Sequence, residues 1–76
     1  MIIVHYDGNG TGMMAGVTEY IELFEAEEDF IGDYGTKEAA IEAHCAPGFE
    51  LAGYYDTDVD DDFYALPMDR ILIARS

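Results

Sequence analysis

Cations are what this 76-residue chain most lacks. Between Met1 and Asp69 stands one basic residue, Lys37, against all seventeen acids, and Arg70 and Arg75 come only at the end. The formal net charge is -14. Repulsion at that charge excludes nucleic acid and anionic membrane as direct ligands. Cysteine is nearly absent too: Cys45 stands alone, which excludes an intrachain disulfide and points to a cytoplasmic protein. Two histidines and one cysteine at unrelated positions give zinc no ligand set. No apolar run approaches the ~20 residues of a membrane span. The opening run MIIVHY lacks a basic flank and is too short for a signal peptide.

What is present argues for a folded domain. Half the residues are apolar and ten are aromatic, unlike a disordered acidic tail. A single domain of this size buries only ~60% of the surface its unfolded chain exposes. It folds against its own charge, so added salt should stabilise it. Solubility at this size needs a net charge of only about 2 to 8 in magnitude. The excess has two readings: an acidic host proteome, or a strongly basic partner surface.

In chain order, Met1–Tyr6 is a β-branched strand stopped by the turn chemistry of Asp7-Gly8-Asn9-Gly10. The glycine-rich stretch to Gly16 reads as a loop or a wide hairpin end. Over Val17–Asp29, helical spacing gathers Val17, Tyr20, Ile21 and Phe24 on one side and Glu19, Glu22 and Glu25 on the other. Strand propensity opposes that periodicity, so the segment is expected as a helix, with a hairpin turning at Ala26–Asp29 as the alternative. Phe30–Tyr34 is expected as a short strand. Thr36 then caps a helix over Lys37–Ala46, with Ile41 as its large apolar anchor and Pro47-Gly48 as its stop. Phe49–Tyr55 reads as a strand. Phe63–Ala74 reads as its returning partner, interrupted by Pro67. The fold class is α+β: a small antiparallel sheet with one or two helices on one face, ordered β-α-β-α-β-β or β-β-β-α-β-β.

Each chemical motif fails on its spacing or context. Gly10-Thr11-Gly12-Met13-Met14-Ala15 fits a dinucleotide fingerprint, with Asp33 about where a ribose-binding acid belongs. The glycines start late after the strand, and the field would repel a pyrophosphate. Asp56-x-Asp58-x-Asp60 opens like a calcium-binding EF-hand loop. Asp61 then replaces the turn glycine, and Pro67 stands where the bidentate Glu belongs. His44 and Cys45 are helix neighbours pointing ~100° apart, so they form no nucleophile–base pair. The sequence therefore assigns no catalytic residue, no cofactor and no metal.

The acids are the remaining signal. Tyr54-Tyr55-Asp56-Thr57-Asp58-Val59-Asp60-Asp61-Asp62-Phe63-Tyr64 packs five carboxylates between aromatic pairs, and must be a solvated tip. The candidate partner-binding residues are Asp56, Asp58, Asp60, Asp61 and Asp62, with Tyr54, Tyr55 and Tyr64 beside them and Glu19, Glu22 and Glu25 as a second stripe. In size, acidity and α+β pattern the chain resembles the small phage- and plasmid-encoded inhibitors that mimic nucleic acid, of the anti-CRISPR and antirestriction type. That likeness is compositional and spans the whole chain. It implies a non-enzymatic protein that occupies a basic nucleic-acid channel on a host nuclease or CRISPR surveillance complex. The competing reading is an acidic accessory or scaffold subunit. A small nucleotide or cation binder is a third, weaker one.

Overall fold

A computed structural model describes residues 1–66, 69 and 71–74. Its central strand is β1 (Ile2–Gly8), which pairs antiparallel with β2 (Glu19–Phe24) on one side and β3 (Phe49–Asp56) on the other. A short β4 (Leu72–Ala74) joins the outer edge of β2 in parallel. Between β2 and β3 the chain forms α1 (Glu27–Ile31) and α2 (Lys37–His44). The architecture is α+β, in the order β-β-α-α-β-β.

Side chains alternate across β1, and both faces of it are apolar. Ile2, Val4 and Tyr6 join Tyr20, Phe24, Phe30 and Ala40 in the main core, under the helices. Ile3 turns the other way and meets Ile21 and Ile71, with Leu23, Tyr55, Phe63 and Leu66 packed around them. The sheet is thus a middle layer, covered by helices on one side and by the C-terminal segment on the other.

That double burial explains why Val17–Asp29 is not the expected helix. Glu19–Phe24 is a strand whose Tyr20 and Phe24 enter the main core while Ile21 enters the second one. A strand apolar on both faces loses its alternation, and the leftover spacing imitates a helix. Pairing settles the contest, because Tyr20, Ile21 and Phe24 sit opposite Tyr6, His5 and Ile2 in the ladder. Phe30–Tyr34 departs from expectation as well. Three acids, Glu27, Glu28 and Asp29, favour a helix start at α1, and Phe30 is its fully buried anchor. A 3-10 turn over Gly32–Tyr34 follows.

The second helix forms as its cap predicts: Thr36 Oγ1 accepts the Ala39 amide at 3.1 Å. It ends at His44, two residues short of Ala46, because Cys45 is already extended. Ala40 is its fully buried residue in the main core, with Ile41 half-buried against that core.

The expected return strand is replaced. Asp62–Ala65 is a 3-10 turn, and β4 lies beside β2 at the far edge from β3. The acidic tip is therefore the start of a crossover beneath the sheet, and not a hairpin between paired strands. Pro67, and the interruption assigned to it, lies outside the described residues. The glycine-rich loop leads into a 3-10 turn and then an antiparallel strand. A dinucleotide fingerprint needs a helix and a parallel strand there, so that reading fails.

Candidate functional site

Strand direction gathers the acids. Both β2 and β3 run opposite to β1, and Phe24 and Asp56 both sit beside Ile2. The chain leaving β2 carries Glu25, Glu27, Glu28 and Asp29, and the chain leaving β3 carries Asp56, Asp58, Asp60, Asp61 and Asp62. Nine of the seventeen acids thus emerge at one end of the sheet. Among the described residues Lys37 is the only lysine or arginine. Its ammonium lies 4.0 Å above the Tyr54 ring, and the Tyr54 hydroxyl donates to Glu27 at 2.9 Å. Burial, followed by the Glu27 hydrogen bond, pushes the Tyr54 phenol well above the usual tyrosine range.

The five carboxylates of the tip are not equivalent. Asp56 accepts the Asp58 amide at 3.0 Å, and Asp60 reaches back to the Asp56 amide at 3.0 Å. These two close the turn and are half-buried, while Asp58, Asp61 and Asp62 are exposed. A loop that bonds its own amides this way leaves fewer oxygens for a cation. No group of three or more metal-ligating side chains is arranged for an ion among the described residues.

The aromatics divide in the same manner. Tyr54 packs against Phe30 in the main core, and Tyr55 packs against the second core. Tyr64 is different: it is 78% exposed, with Phe63 against its inner side at 4.1 Å between ring centres. Val59, at the crown of the turn, is 79% exposed. The large apolar side chains that the tip itself exposes are Val59 and Tyr64, whereas Tyr54 and Tyr55 hold the tip to the body.

Glu19, Glu22 and Glu25 do not form a stripe. On a strand Glu22 faces the helices, Glu19 faces the opposite side, and Glu25 lies past the strand end. Glu22 is buried, at 9% exposure. It accepts the Tyr6 hydroxyl at 2.8 Å, and its second oxygen lies 3.2 Å from His44 Nδ1. The His44 ring stacks on Phe30 and meets Phe24 and Tyr34 edge-on. Tyr20 completes the cluster by donating to the His44 carbonyl at 3.0 Å and accepting the Ala46 amide at 2.9 Å. Burial, then the bond to Glu22, pushes the Tyr6 phenol well above its ordinary range; burial also raises Tyr20.

This cluster is what sequence reasoning missed. Its signal was a lone acid inside Tyr20-Ile21-Glu22-Leu23-Phe24, with a histidine at the end of the following long helix. Chemically it locks the end of α2 onto the sheet. Cys45, beside it, donates to the Phe49 carbonyl, and burial pushes its thiol up, which suits a packed residue and not a nucleophile. On the opposite face His5 lies 3.3 Å from Glu19, within the sheet layer.

No helix among the described residues is long and apolar enough to cross a membrane. Comparison with family models, curated proteins and solved structures finds no match to this chain.

Proposed function

We propose that the chain is a non-enzymatic binding protein whose acidic end docks on a basic, nucleic-acid-binding surface of another protein in place of the nucleic acid. The observation that carries this reading is the convergence of Glu25, Glu27, Glu28 and Asp29 with Asp56–Asp62 at one end of the sheet. Lys37, the one described cation, is already engaged with the Tyr54 ring there. Charge density supports it too. The longest axis of the molecule is 31 Å. Duplex DNA carries a charge every ~1.7 Å, or roughly 18 over that length, close to the net -14 of the chain. The target class that fits is a cytoplasmic nuclease or nucleic-acid-guided complex, with the chain acting as its inhibitor.

The test is competition. Proteins captured from bacterial lysate at low salt should be released at high salt, because many screened charges carry the contact. The captured target should bind either this chain or its DNA or RNA, never both. A target that keeps its nucleic acid at saturating chain would overturn mimicry and favour the accessory-subunit reading.

A further inference from the structure

The face of the sheet turned away from the helices holds an apolar cavity of about 540 Å³. Its walls include Ile3 and Leu23 from adjacent strands, Thr57 from the acidic turn, and Phe63, Tyr64 and Leu66 from the segment that follows. Ile3 and Leu23 sit directly opposite each other in the ladder and form the floor. The walls on the other side come out of the acidic tip itself. Thr57 lies between Asp56 and Asp58, and Phe63 follows Asp60-Asp61-Asp62. Glu25 stands two residues beyond Leu23 and is exposed. An apolar socket therefore opens beside the acidic turn, in a chain of net charge -14.

Those two properties select one kind of occupant. An anionic apolar ligand would meet the negative field of the chain unfavourably, and a purely cationic one would leave the floor unfilled. A nucleic-acid mimic built of charge alone has no use for such a socket, since charge chiefly steers and specifies, while buried apolar anchors hold. We infer that the cavity seats a single apolar side chain of the partner protein, flanked on that partner by lysine or arginine. This rests on the binding reading above and gives the partner segment its chemistry: basic, with an apolar residue among the bases. The carboxylates bring the segment in, and the socket decides which basic segment stays.

Synthetic peptides test this without knowledge of the partner. Two nine-residue peptides, each with four lysines spaced by glycine, carry leucine or serine at the centre. A third carries the central leucine with serine in place of every lysine. Binding of each is followed by fluorescence anisotropy and by amide shifts at Leu23, Thr57 and Leu66. The basic leucine peptide should bind at least roughly tenfold more tightly than either control, since burial of one leucine side chain is worth that factor. Thr57→Trp, which fills the socket from an exposed turn, should erase the leucine preference and keep the salt dependence. Tyr64→Ala removes a highly exposed wall and should lower the preference without unfolding. If the two basic peptides bind equally, the socket carries nothing while the charge reading survives. If the uncharged leucine peptide binds as well as the basic one, the acids select nothing and the inference fails. If no peptide binds at low salt, both readings fall together.

Discussion

Two carboxylates in the same fold have opposite surroundings: Glu22 is taken out of water, and Asp58 is left in it. Glu22 keeps its burial because the Tyr6 hydroxyl and His44 Nδ1 meet its two oxygens. Asp58 lies in an exposed turn, with carboxylates at Asp56, Asp60, Asp61 and Asp62 around it. A buried acid with partners holds the structure together, whereas crowded surface acids strain it by mutual repulsion. Residue type alone therefore says little here; strand direction and register decide which acids are structural.

The sharpest way to break that comparison is to truncate the buried member. Glu22→Ala leaves the Tyr6 hydroxyl and the His44 ring without their partner beneath α2. The expected cost is about 3 kcal/mol, in the range for stranding one side of a buried polar pair. That is a large share of the stability of so small a domain. Urea denaturation measures it, and the loss should exceed that of any single substitution at Asp58, Asp61 or Asp62. Equal losses at Glu22 and Asp58 would remove the distinction.

Tyr6→Phe comes next. It deletes one hydroxyl and leaves Glu22 bonded to His44 alone, at an expected cost of about 1 to 2 kcal/mol. The same residue sets a pH signature. Its folded phenol is held protonated above the unfolded value of 10.0. The folded state then keeps a proton that the unfolded state has lost. Stability from this group is fully present below pH ~10 and falls as pH rises beyond it. Tyr54 and Tyr20 shift in the same direction and add to the fall. Denaturation midpoints from pH 8 to 11 should bend downward near pH 10, and Tyr6→Phe should make that bend shallower. A midpoint independent of pH over this range would contradict the buried arrangement.

The legible and illegible parts of the sequence divide along the same line. Local signals held in part: Thr36 caps α2 and the aspartates around Asp58 form an exposed turn, while β1 runs on through Asp7 and Gly8 before Asn9 ends it. The α+β class held as well, and it follows from β-branched runs beside an alanine-rich helix. What could not be read were consequences of pairing across the chain. Glu19–Phe24 looked helical because it is apolar on both faces, and no local rule reports that a second layer covers the far side. The position of β4 beside β2, not β3, depends on a crossover with no mark in its residues. Glu22 was grouped with Glu19 and Glu25 for the same reason: its burial exists only once β1 and α2 arrive from elsewhere. The acidic end was half visible. The tip was legible as a run, but its meeting with Glu25–Asp29 needs two strands to end beside the start of a third.

Within the tip a smaller contrast remains. Asp60→Asn keeps the shape but weakens the acceptor that holds the Asp56 amide, so it should cost about 0.5 to 1 kcal/mol by the loss of a charged acceptor. Asp58→Asn removes an exposed charge and should be neutral or slightly stabilising. A thermal melt of the two variants side by side separates them. If Asp60 behaves like Asp58, the turn is held by its backbone bonds alone.

The smallest effect on stability is expected to be the most telling for binding. Replacing Asp58, Asp61 and Asp62 together by Asn removes three exposed charges and spares the two carboxylates that close the turn. The fold should be retained, with a melting temperature equal to or slightly above that of the parent, because self-repulsion falls. Added salt should then raise the melting temperature less in the variant than in the parent, since there is less repulsion left to screen. Association with a basic target should slow markedly, while dissociation changes little, because exposed charges act mainly on encounter. The matching variant Glu25→Gln, Glu27→Gln, Glu28→Gln, Asp29→Asn tests the other half of the acidic end, at the small added cost of the Glu27 bond to Tyr54. If both variants slow association and their effects add in the logarithm of the rate, the two segments act as one field, as their shared end of the sheet requires. If only the tip variant slows it, the contact is confined to Asp56–Asp62. If neither does, the acids serve solubility, and the comparison between a structural Glu22 and a functional Asp58 loses its second term.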